Sequence, residues 1–165
     1  MKRKILNYLK EIVLFIVVIT IMANVMSLYK SQDLNQQPLK FQYALLLDGS
    51  KYYFKEDKPL LIHFWATWCP TCKLEASNID MIAKEYEVVT IAVKSGSNKE
   101  IKQFLEENNL SFKVVNDSKS LLASEFQLGA FPTTFIYDKE KKLIFSEVGY
   151  TSTLGLWLRL WWASF

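Results

Sequence analysis

The stretch of sequence that decides the fold is Phe64-Trp65-Ala66-Thr67-Trp68-Cys69-Pro70-Thr71-Cys72-Lys73. It carries both cysteines of the chain, at CxxC spacing. Such a pair can crosslink the fold, bind a metal or cycle between dithiol and disulfide. We interpret it as a redox-active dithiol, from loop length, ligand count and the flanking sequence.

Loop length and ligand count disfavour the first two roles. A crosslink that closes so short a loop lowers the conformational entropy of the unfolded chain by an amount that stabilises the fold by only about 2 kcal/mol, compared with about 4.7 kcal/mol for a hundred-residue loop. A closed zinc site needs about four ligands, and the single histidine of the chain, His63, falls on a predicted buried strand. Copper(I), which accepts two thiolates, stays open as a ligand.

The flanking sequence predicts a strand, a turn and a helix. Residues 59–65 form a continuous apolar run, as expected of a strand that is buried on both faces of a sheet. Pro70 suits the first position of a helix, because a helix leaves the N–H group of that position without a partner. The apolar residues that follow with helical spacing are Ile79, Ile82, Ala83 and Tyr86.

This order places Cys69 at the N-terminus of the predicted helix. Unpaired N–H groups and the positive end of the helix dipole favour a thiolate there and lower the thiol pKa from about 8.5. We therefore predict that Cys69 is the attacking sulfur. Cys72, one turn further along, is the predicted resolving sulfur.

The N-terminal segment is predicted to anchor the chain in a membrane. Residues 1–11 are basic, and residues 12–28 form an almost uncharged run that would rise about 25 Å as a helix, slightly less than a bilayer core. Lys10 and Lys30 flank this run and can reach the two interfaces. The alternative is a signal peptide cleaved near Val25-Met26-Ser27. In either case the positive-inside rule places the N-terminus in the cytoplasm and the rest across the membrane.

The distribution of charge argues against a nucleic-acid partner. The first eleven residues carry a net charge of +3, which equals the net charge of the whole chain. The remainder is therefore neutral, with acidic and basic residues interspersed, and offers no basic surface to nucleic acid. Two cysteines also suit an exported domain, where a disulfide can persist.

Residues 29–40 read as a linker, and residues 41–165 as one α/β domain. Strands and helices alternate in its middle section, which predicts parallel strands joined by crossover helices. Ser118 is a plausible helix cap. Apart from the elements beside the cysteines, the predicted segments are a hairpin over residues 41–47 and 51–54, strands 88–93 and 112–115, helices 98–108 and 118–126, and a final hairpin over 133–137 and 143–148.

A second motif, Gly129-Ala130-Phe131-Pro132-Thr133-Thr134, places Pro132 sixty residues after Cys72. With the cysteine motif, it resembles the thioredoxin superfamily, and within it the membrane-anchored TlpA/ResA/DsbE-like thiol:disulfide oxidoreductases. The likeness covers residues 41–165. The segment from Gly149 to Ala163 resembles, more narrowly, the suppressor-for-copper-sensitivity protein D group.

The resemblance implies a thioredoxin fold behind a transmembrane helix: a central mixed sheet flanked by helices, with an N-terminal hairpin and a central βα insertion. It implies that Cys69 is the nucleophile, Cys72 the resolving thiol and Pro132 a cis-proline facing the disulfide. An ordinary trans-proline at a strand start is the alternative for Pro132. The residues expected to bind substrate are Trp68, Pro70, Thr71, Phe131 and Thr133.

Two positions depart from the family pattern. His63 stands where thioredoxins place a buried acid that takes the Cys72 proton. An imidazole is a competent base near neutral pH, so His63 is either that proton acceptor or a core residue. Ser77 stands where relatives usually have a helix-kinking proline, which puts the kink in doubt.

Aromatic residues near the motif and at the C-terminus have two possible roles. We expect Trp65 in the core and Trp68 at the rim of the site, because Trp68 adjoins Cys69. The tail over residues 154–165 is apolar nearly all round, with Arg159 as its only charge. We expect it to pack against the sheet as the last helix, the alternative being contact with a membrane interface or a membrane partner.

Together these features predict an anchored thiol:disulfide oxidoreductase of the bacterial inner membrane, with its domain on the periplasmic or extracytoplasmic side. The Pro70-Thr71 dipeptide between the cysteines resembles that of DsbE-type reductants of cytochrome c maturation, which favours protein-disulfide reduction. Its expected partners are protein disulfides and a membrane protein that exchanges electrons with it, and the dithiol is its whole cofactor. An oxidase, an isomerase and a copper(I) carrier are the alternatives.

Overall fold

The computed structural model describes residues 2–35 and 37–165, without the side chains of residues 2–7, 23 and 28. Met1, at the start of the predicted cytoplasmic segment, and Gln36, in the predicted linker, lie outside the described residues. The described elements, in chain order, are α1 (Lys2–Ser31), β1 (Tyr43–Leu45), β2 (Lys51–Tyr53), β3 (Leu60–Trp65), α2 (Pro70–Ile82), β4 (Glu87–Val93), α3 (Asn98–Glu107), β5 (Lys113–Asp117), α4 (Leu121–Glu125), β6 (Thr133–Tyr137), β7 (Leu143–Val148) and α5 (Thr153–Trp162).

A mixed sheet with strand order β5-β4-β3-β6-β7 forms the centre of the domain. Strands β3, β4 and β5 are parallel, whereas β6 runs antiparallel to β3 and β7 antiparallel to β6. Every residue of the central strand β3 is buried, as its continuous apolar sequence predicts. The predicted mixed sheet with crossover helices and a final hairpin is confirmed.

The two faces of the sheet carry two separate cores, because successive side chains of a strand point to opposite faces. Leu61 and Trp65 of β3 pack with both cysteines and with α5. Leu60, Ile62 and Phe64 pack on the other face with Phe126, which follows α4. The cysteine turn is therefore built directly onto the central strand of the sheet.

Helix α4 begins later than predicted, and the proposed cap at Ser118 is wrong. The residue that precedes the helix is Ser120, whose φ of 58° is left-handed and whose side chain makes no cap hydrogen bond. The carboxylate of Asp117 accepts hydrogen bonds from the N–H groups of Leu121 (2.7 Å) and Ala123 (2.9 Å) instead. A buried acid at the end of β5 thus satisfies the first turn of the helix.

The N-terminal hairpin forms as predicted, with Tyr43 opposite Tyr53 in the antiparallel β1–β2 pair. Gly49 turns the chain between the two strands with a φ of 84°, a conformation that glycine adopts without steric cost. At the other end of the chain, α5 buries Leu156 and Leu160 in the core that contains α2. The expected packing of the last helix onto the domain is confirmed for this side of α5.

Helix α1 contains a stretch, Tyr8–Ser31, that is long and apolar enough to cross a membrane. The stretch is longer at both ends than the predicted run of residues 12–28. None of its most apolar window is buried by the domain. Its C-terminal end meets β7, where the N–H of Val148 donates a hydrogen bond to Ser27 Oγ at 3.0 Å.

Candidate active site

Cys69 lies in the loop after β3 and caps α2. Its backbone is extended, and Pro70 takes the first helical position, as predicted. Its Sγ accepts a hydrogen bond from the N–H of Cys72 at 3.2 Å. The sulfur therefore lies against the unpaired N–H groups of the helix, where negative charge is favoured.

Cys69 and Cys72 are joined by a disulfide, with their Cα atoms 5.2 Å apart. Both are buried, but Cys69 keeps 5% of its surface exposed and Cys72 only 1%. Cys69 is thus the cysteine that a second molecule can reach. Cys72 lies beneath it on the core side of α2.

The second motif meets the cysteine turn at the start of β6. The Phe131–Pro132 peptide bond is cis, as the resemblance implies. The carbonyl oxygen of Phe131 lies 3.8 Å from Cys69 Sγ. The carbonyl of Pro132 accepts a hydrogen bond from the N–H of Gly149 at 2.9 Å, which ties this loop to the end of β7.

The two tryptophans of the motif have opposite environments. Trp65 is buried, and its indole N–H donates to Thr90 Oγ1 at 3.0 Å. Trp68 is 57% exposed, its indole N–H donates to the Lys94 carbonyl at 3.1 Å, and its ring packs edge-on against Phe131. The core position of Trp65 and the rim position of Trp68 are confirmed.

The other predicted substrate-binding residues divide by exposure. Pro70 is exposed, and Thr71 and Phe131 are half-buried, so all three present surface beside Cys69. Thr133 is fully buried, and its hydroxyl donates to the Ala130 carbonyl at 2.8 Å. The side chain of Thr133 therefore braces the loop before β6 and does not face a substrate.

His63 lies in the middle of β3, on the face that α2 covers. It is buried, and its Nδ1 lies 2.9 Å from Thr134 Oγ1. Burial lowers the pKa of His63 to about 3, because the imidazolium would have to leave water without a counter-charge. The expectation that His63 is a competent base near neutral pH is therefore not met, since its ring is neutral there and holds a proton only weakly.

The low pKa of His63 predicts that the contribution of this residue to the stability of the fold is lost in acid. In the unfolded chain the imidazole of His63 has a pKa of about 6.5, whereas in the folded protein its pKa is about 3. The contribution of His63 to stability is therefore complete above pH 6.5 and is lost as the pH falls towards 3. Between pH 7 and pH 5 the loss is about 2 kcal/mol. Urea unfolding of wild type and His63→Asn at both pH values measures it as the difference between the two proteins, because other buried groups that titrate change the stability of both alike. Equal changes in stability in the two proteins would contradict the assignment.

Glu75 is a part of the site that the sequence analysis missed. It lies one turn after Cys72 on α2 and is fully buried. Its Oε1 accepts a hydrogen bond from the N–H of Thr151 at 3.0 Å, and its Oε2 has no partner among the described residues. A detectable signal was present, because position 75 shares the buried helical face of Cys72 and Ile79.

The environment of Glu75 favours the protonated acid. Burial raises its pKa to about 8, and the nearby charge of Glu147 adds to the shift, while the hydrogen bond from Thr151 opposes it. Glu147 itself forms an ion pair with Arg159. A carboxyl group that gains and loses its proton near neutral pH thus lies one turn from the buried cysteine.

The sequence matches the AhpC/TSA family over residues 25–146. A thioredoxin-like protein of Haemophilus influenzae is 32% identical over 168 residues, which cover 99% of this chain and 97% of that relative. The thiol:disulfide interchange protein DsbE of Yersinia pestis is 28% identical over 122 residues, which cover 73% of this chain and 61% of DsbE.

Among solved structures, the pneumococcal exposed lipoprotein thioredoxin of Streptococcus pneumoniae superposes with a TM-score of 0.61 at 25% identity. The superposition covers 72% of this chain and 96% of that structure. The family match extends over most of the chain, and the matched part contains the disulfide turn and the cis-proline loop. The chain therefore belongs to the AhpC/TSA family and is one of its thioredoxin-like members.

Proposed function

We propose that this chain is a membrane-anchored thiol:disulfide oxidoreductase that reduces disulfide bonds of proteins on the extracytoplasmic side. The observation that carries the proposal is the Cys69–Cys72 disulfide, which caps α2 with its more exposed cysteine beside the Phe131 carbonyl. The names of the relatives DsbE and ResA, which specify thiol:disulfide interchange and thiol-disulfide oxidoreductase, support the reaction class.

In the first step, the Cys69 thiolate of the reduced protein attacks one sulfur of a substrate disulfide. A bond forms between Cys69 and the substrate, and the other substrate sulfur leaves as a thiolate that takes a proton from water. The N–H of Cys72 and the dipole of α2 stabilise the attacking thiolate. The exposed Trp68 and Pro70 form the surface on which the substrate chain rests.

In the second step, Cys72 loses its proton and attacks the sulfur of Cys69. The bond between Cys69 and the substrate breaks, the substrate sulfur leaves as a thiolate, and the Cys69–Cys72 disulfide forms. Two electrons have then passed to the substrate. Glu75 accepts the Cys72 proton, because a pKa of about 8 suits a general base near neutral pH, whereas His63 at about 3 is too weak.

Helix α1 supports the location that we propose for the reaction, and the residues between the cysteines support its direction. The Pro70-Thr71 dipeptide favours reduction of the substrate. A membrane protein that carries a dithiol then reduces the Cys69–Cys72 disulfide again by the same exchange in reverse. Helix α1 spans the bacterial inner membrane with its basic end in the cytoplasm.

A disulfide-exchange assay combined with copper(I) titration tests the proposal. We expect the reduced full chain, in detergent, to reduce one disulfide of a protein substrate per chain and to form its own disulfide. The Cys69→Ser variant should lose this activity. Tight stoichiometric copper(I) binding without exchange would contradict the proposal and favour the copper carrier, and it would support the narrower likeness to the suppressor-for-copper-sensitivity protein D group.

A further inference from the structure

Helix α5 carries apolar residues on two opposite faces. Leu156 and Leu160 are fully buried against the domain. The other face is exposed and has the spacing i, i+3, i+4, i+7 of a single helical stripe. We call it the tryptophan face, and it consists of Leu154, Trp157, Leu158 and Trp161. A surface helix of a protein that lies wholly in water carries polar residues there instead.

The tryptophan face is also uncharged. Arg159 is the one charged residue in the sequence of α5. It forms an ion pair with Glu147 and donates a hydrogen bond to the Gly155 carbonyl at 2.9 Å. The guanidinium group of Arg159 is therefore directed towards Glu147 and away from the tryptophan face. The exposed aromatic area continues past the face at Trp162 and at Phe165, which is 87% exposed.

The position of α5 relative to α1 indicates what covers this face. A cleft of about 530 Å³ separates α1 from the end of β7 and the start of α5. The α1 residues on its wall are Ile19, Thr20, Asn24 and Ser27, which run from the middle of the candidate span Tyr8–Ser31 towards its C-terminal end. The Ser27–Val148 hydrogen bond lies four residues before the end of that span, about 6 Å along the helix axis, and joins the domain to α1 there. When α1 spans a bilayer, the end of β7 lies beside the outer end of α1, and we place the following helix α5 at the outer interface.

We propose that the tryptophan face lies in the outer interface of the membrane that holds α1 and contacts lipid there. The proposal rests on the membrane anchoring proposed above. Tryptophan suits this zone, since its ring is apolar and its N–H can reach water and headgroups. Because the face is uncharged, the contact does not require anionic lipid.

Lipid contact at this face has a consequence for the dithiol. Helix α5 packs into the same core as α2, and α2 carries Cys69 at its N-terminus. Two attachments to one bilayer, α1 and the tryptophan face, fix the tilt of the domain. The dithiol is then held at a constant orientation towards a membrane protein that exchanges electrons with it.

Tryptophan quenching by brominated lipid tests the contact. The full chain is reconstituted in vesicles of phosphatidylcholine with bromine on the acyl chains, and its emission is compared with that in unbrominated vesicles. We expect quenching in wild type and loss of most of it in the Trp157→Gln/Trp161→Gln variant. Leu158→Glu places a charge in the middle of the face and should likewise reduce the quenching. Leu121→Glu, at a more exposed apolar position on α4, should leave it unchanged.

Two further readouts separate this proposal from the proposed function. Retention of the chain in vesicles after alkaline carbonate washing reports the α1 anchor, and thiol release from a protein disulfide in detergent reports the exchange activity. Anchored, active protein whose tryptophans are not quenched would contradict the lipid contact alone. Unquenched tryptophans together with a crosslinked dimer that Leu158→Glu abolishes would assign the face to a second copy instead. A chain that is washed off would contradict both the anchor and this proposal.

Discussion

Replacing Cys72 with serine is expected to stop the protein after its first step, with substrate bound covalently to Cys69. Cys69 keeps its place at the N-terminus of α2, so it still attacks a substrate disulfide. Release then needs an external thiol, because the variant lacks the sulfur of residue 72. In the wild type the Cα atoms of Cys69 and Cys72 are 5.2 Å apart, so Cys72 can attack within the same molecule. An intramolecular attacking group acts at an effective concentration far above that of free thiols, so we expect release to slow by about 10³-fold or more.

Acid quenching and alkylation, followed by mass spectrometry of the intact protein, measure the trapped species. The Cys72→Ser protein should appear mainly as the adduct with substrate. The matched control is Cys69→Ser, which keeps one thiol but should form little adduct, because Cys72 is almost completely buried. Equal adduct formation by the two variants would contradict the assigned roles of attacking and resolving sulfur.

Replacing Glu75 with glutamine is expected to slow the resolving step by about 10²-fold, a typical contribution of one general base. In the wild type the rate of this step should rise with pH and level off above about 8, because only the ionised carboxyl can accept the Cys72 proton. Glutamine keeps the size of the side chain but cannot accept that proton. The pH dependence centred near 8 should therefore disappear, while the initial attack by Cys69 is little changed.

Rapid-mixing measurements of substrate release over a pH series test this prediction. Glu85→Gln, an exposed position just after α2, is the matched control. A stability measurement adds an independent readout. Because the folded pKa of Glu75 is raised, its contribution to stability, measured as the difference between wild type and Glu75→Gln, is present at low pH and is lost as the pH rises, by about 2–3 kcal/mol between pH 5 and pH 7. An unchanged pH profile of release in Glu75→Gln would leave the carboxyl with a structural role only.

Much of the fold could be predicted because its main signals are local. The apolar run of β3, the proline at the first position of α2 and the spacing between Cys69 and Cys72 each have one favoured structure. The start of α4 could not be predicted, since its first turn is satisfied by the Asp117 carboxylate and not by a serine within the expected helix. Asp117 and Ser118 are adjacent in the sequence, and both residue types can cap a helix. The sequence does not indicate which of the two side chains reaches the N–H groups of the first turn.

The positions of the cysteine pair and of Pro132 were predictable, because each lies in a motif that, together with the flanking strand and helix pattern, resembles one family. The proposed proton acceptor was not predictable in the same way, because the pKa values of His63 and Glu75 depend on burial and on distant partners. His63 has a solution pKa close to neutral, which burial in β3 lowers to about 3. Glu75 resembles an ordinary surface acid until the fold buries it beneath Thr151, more than seventy residues away. The sequence therefore offered His63 as one candidate proton acceptor, whereas the buried Glu75 is the acceptor that we propose.

The redox state of Cys69 and Cys72 in growing cells tests the proposed reductase most directly. Cells are quenched in acid, free thiols are alkylated with a reagent of high mass, and the protein is separated by size. The Cys69→Ser variant, which keeps one thiol and should form little adduct, marks the position of the singly modified chain. A reductase that is recharged by a membrane dithiol should carry two alkylated cysteines in most of its molecules. A pair that is mostly oxidised in cells would contradict the reductase and indicate an oxidase.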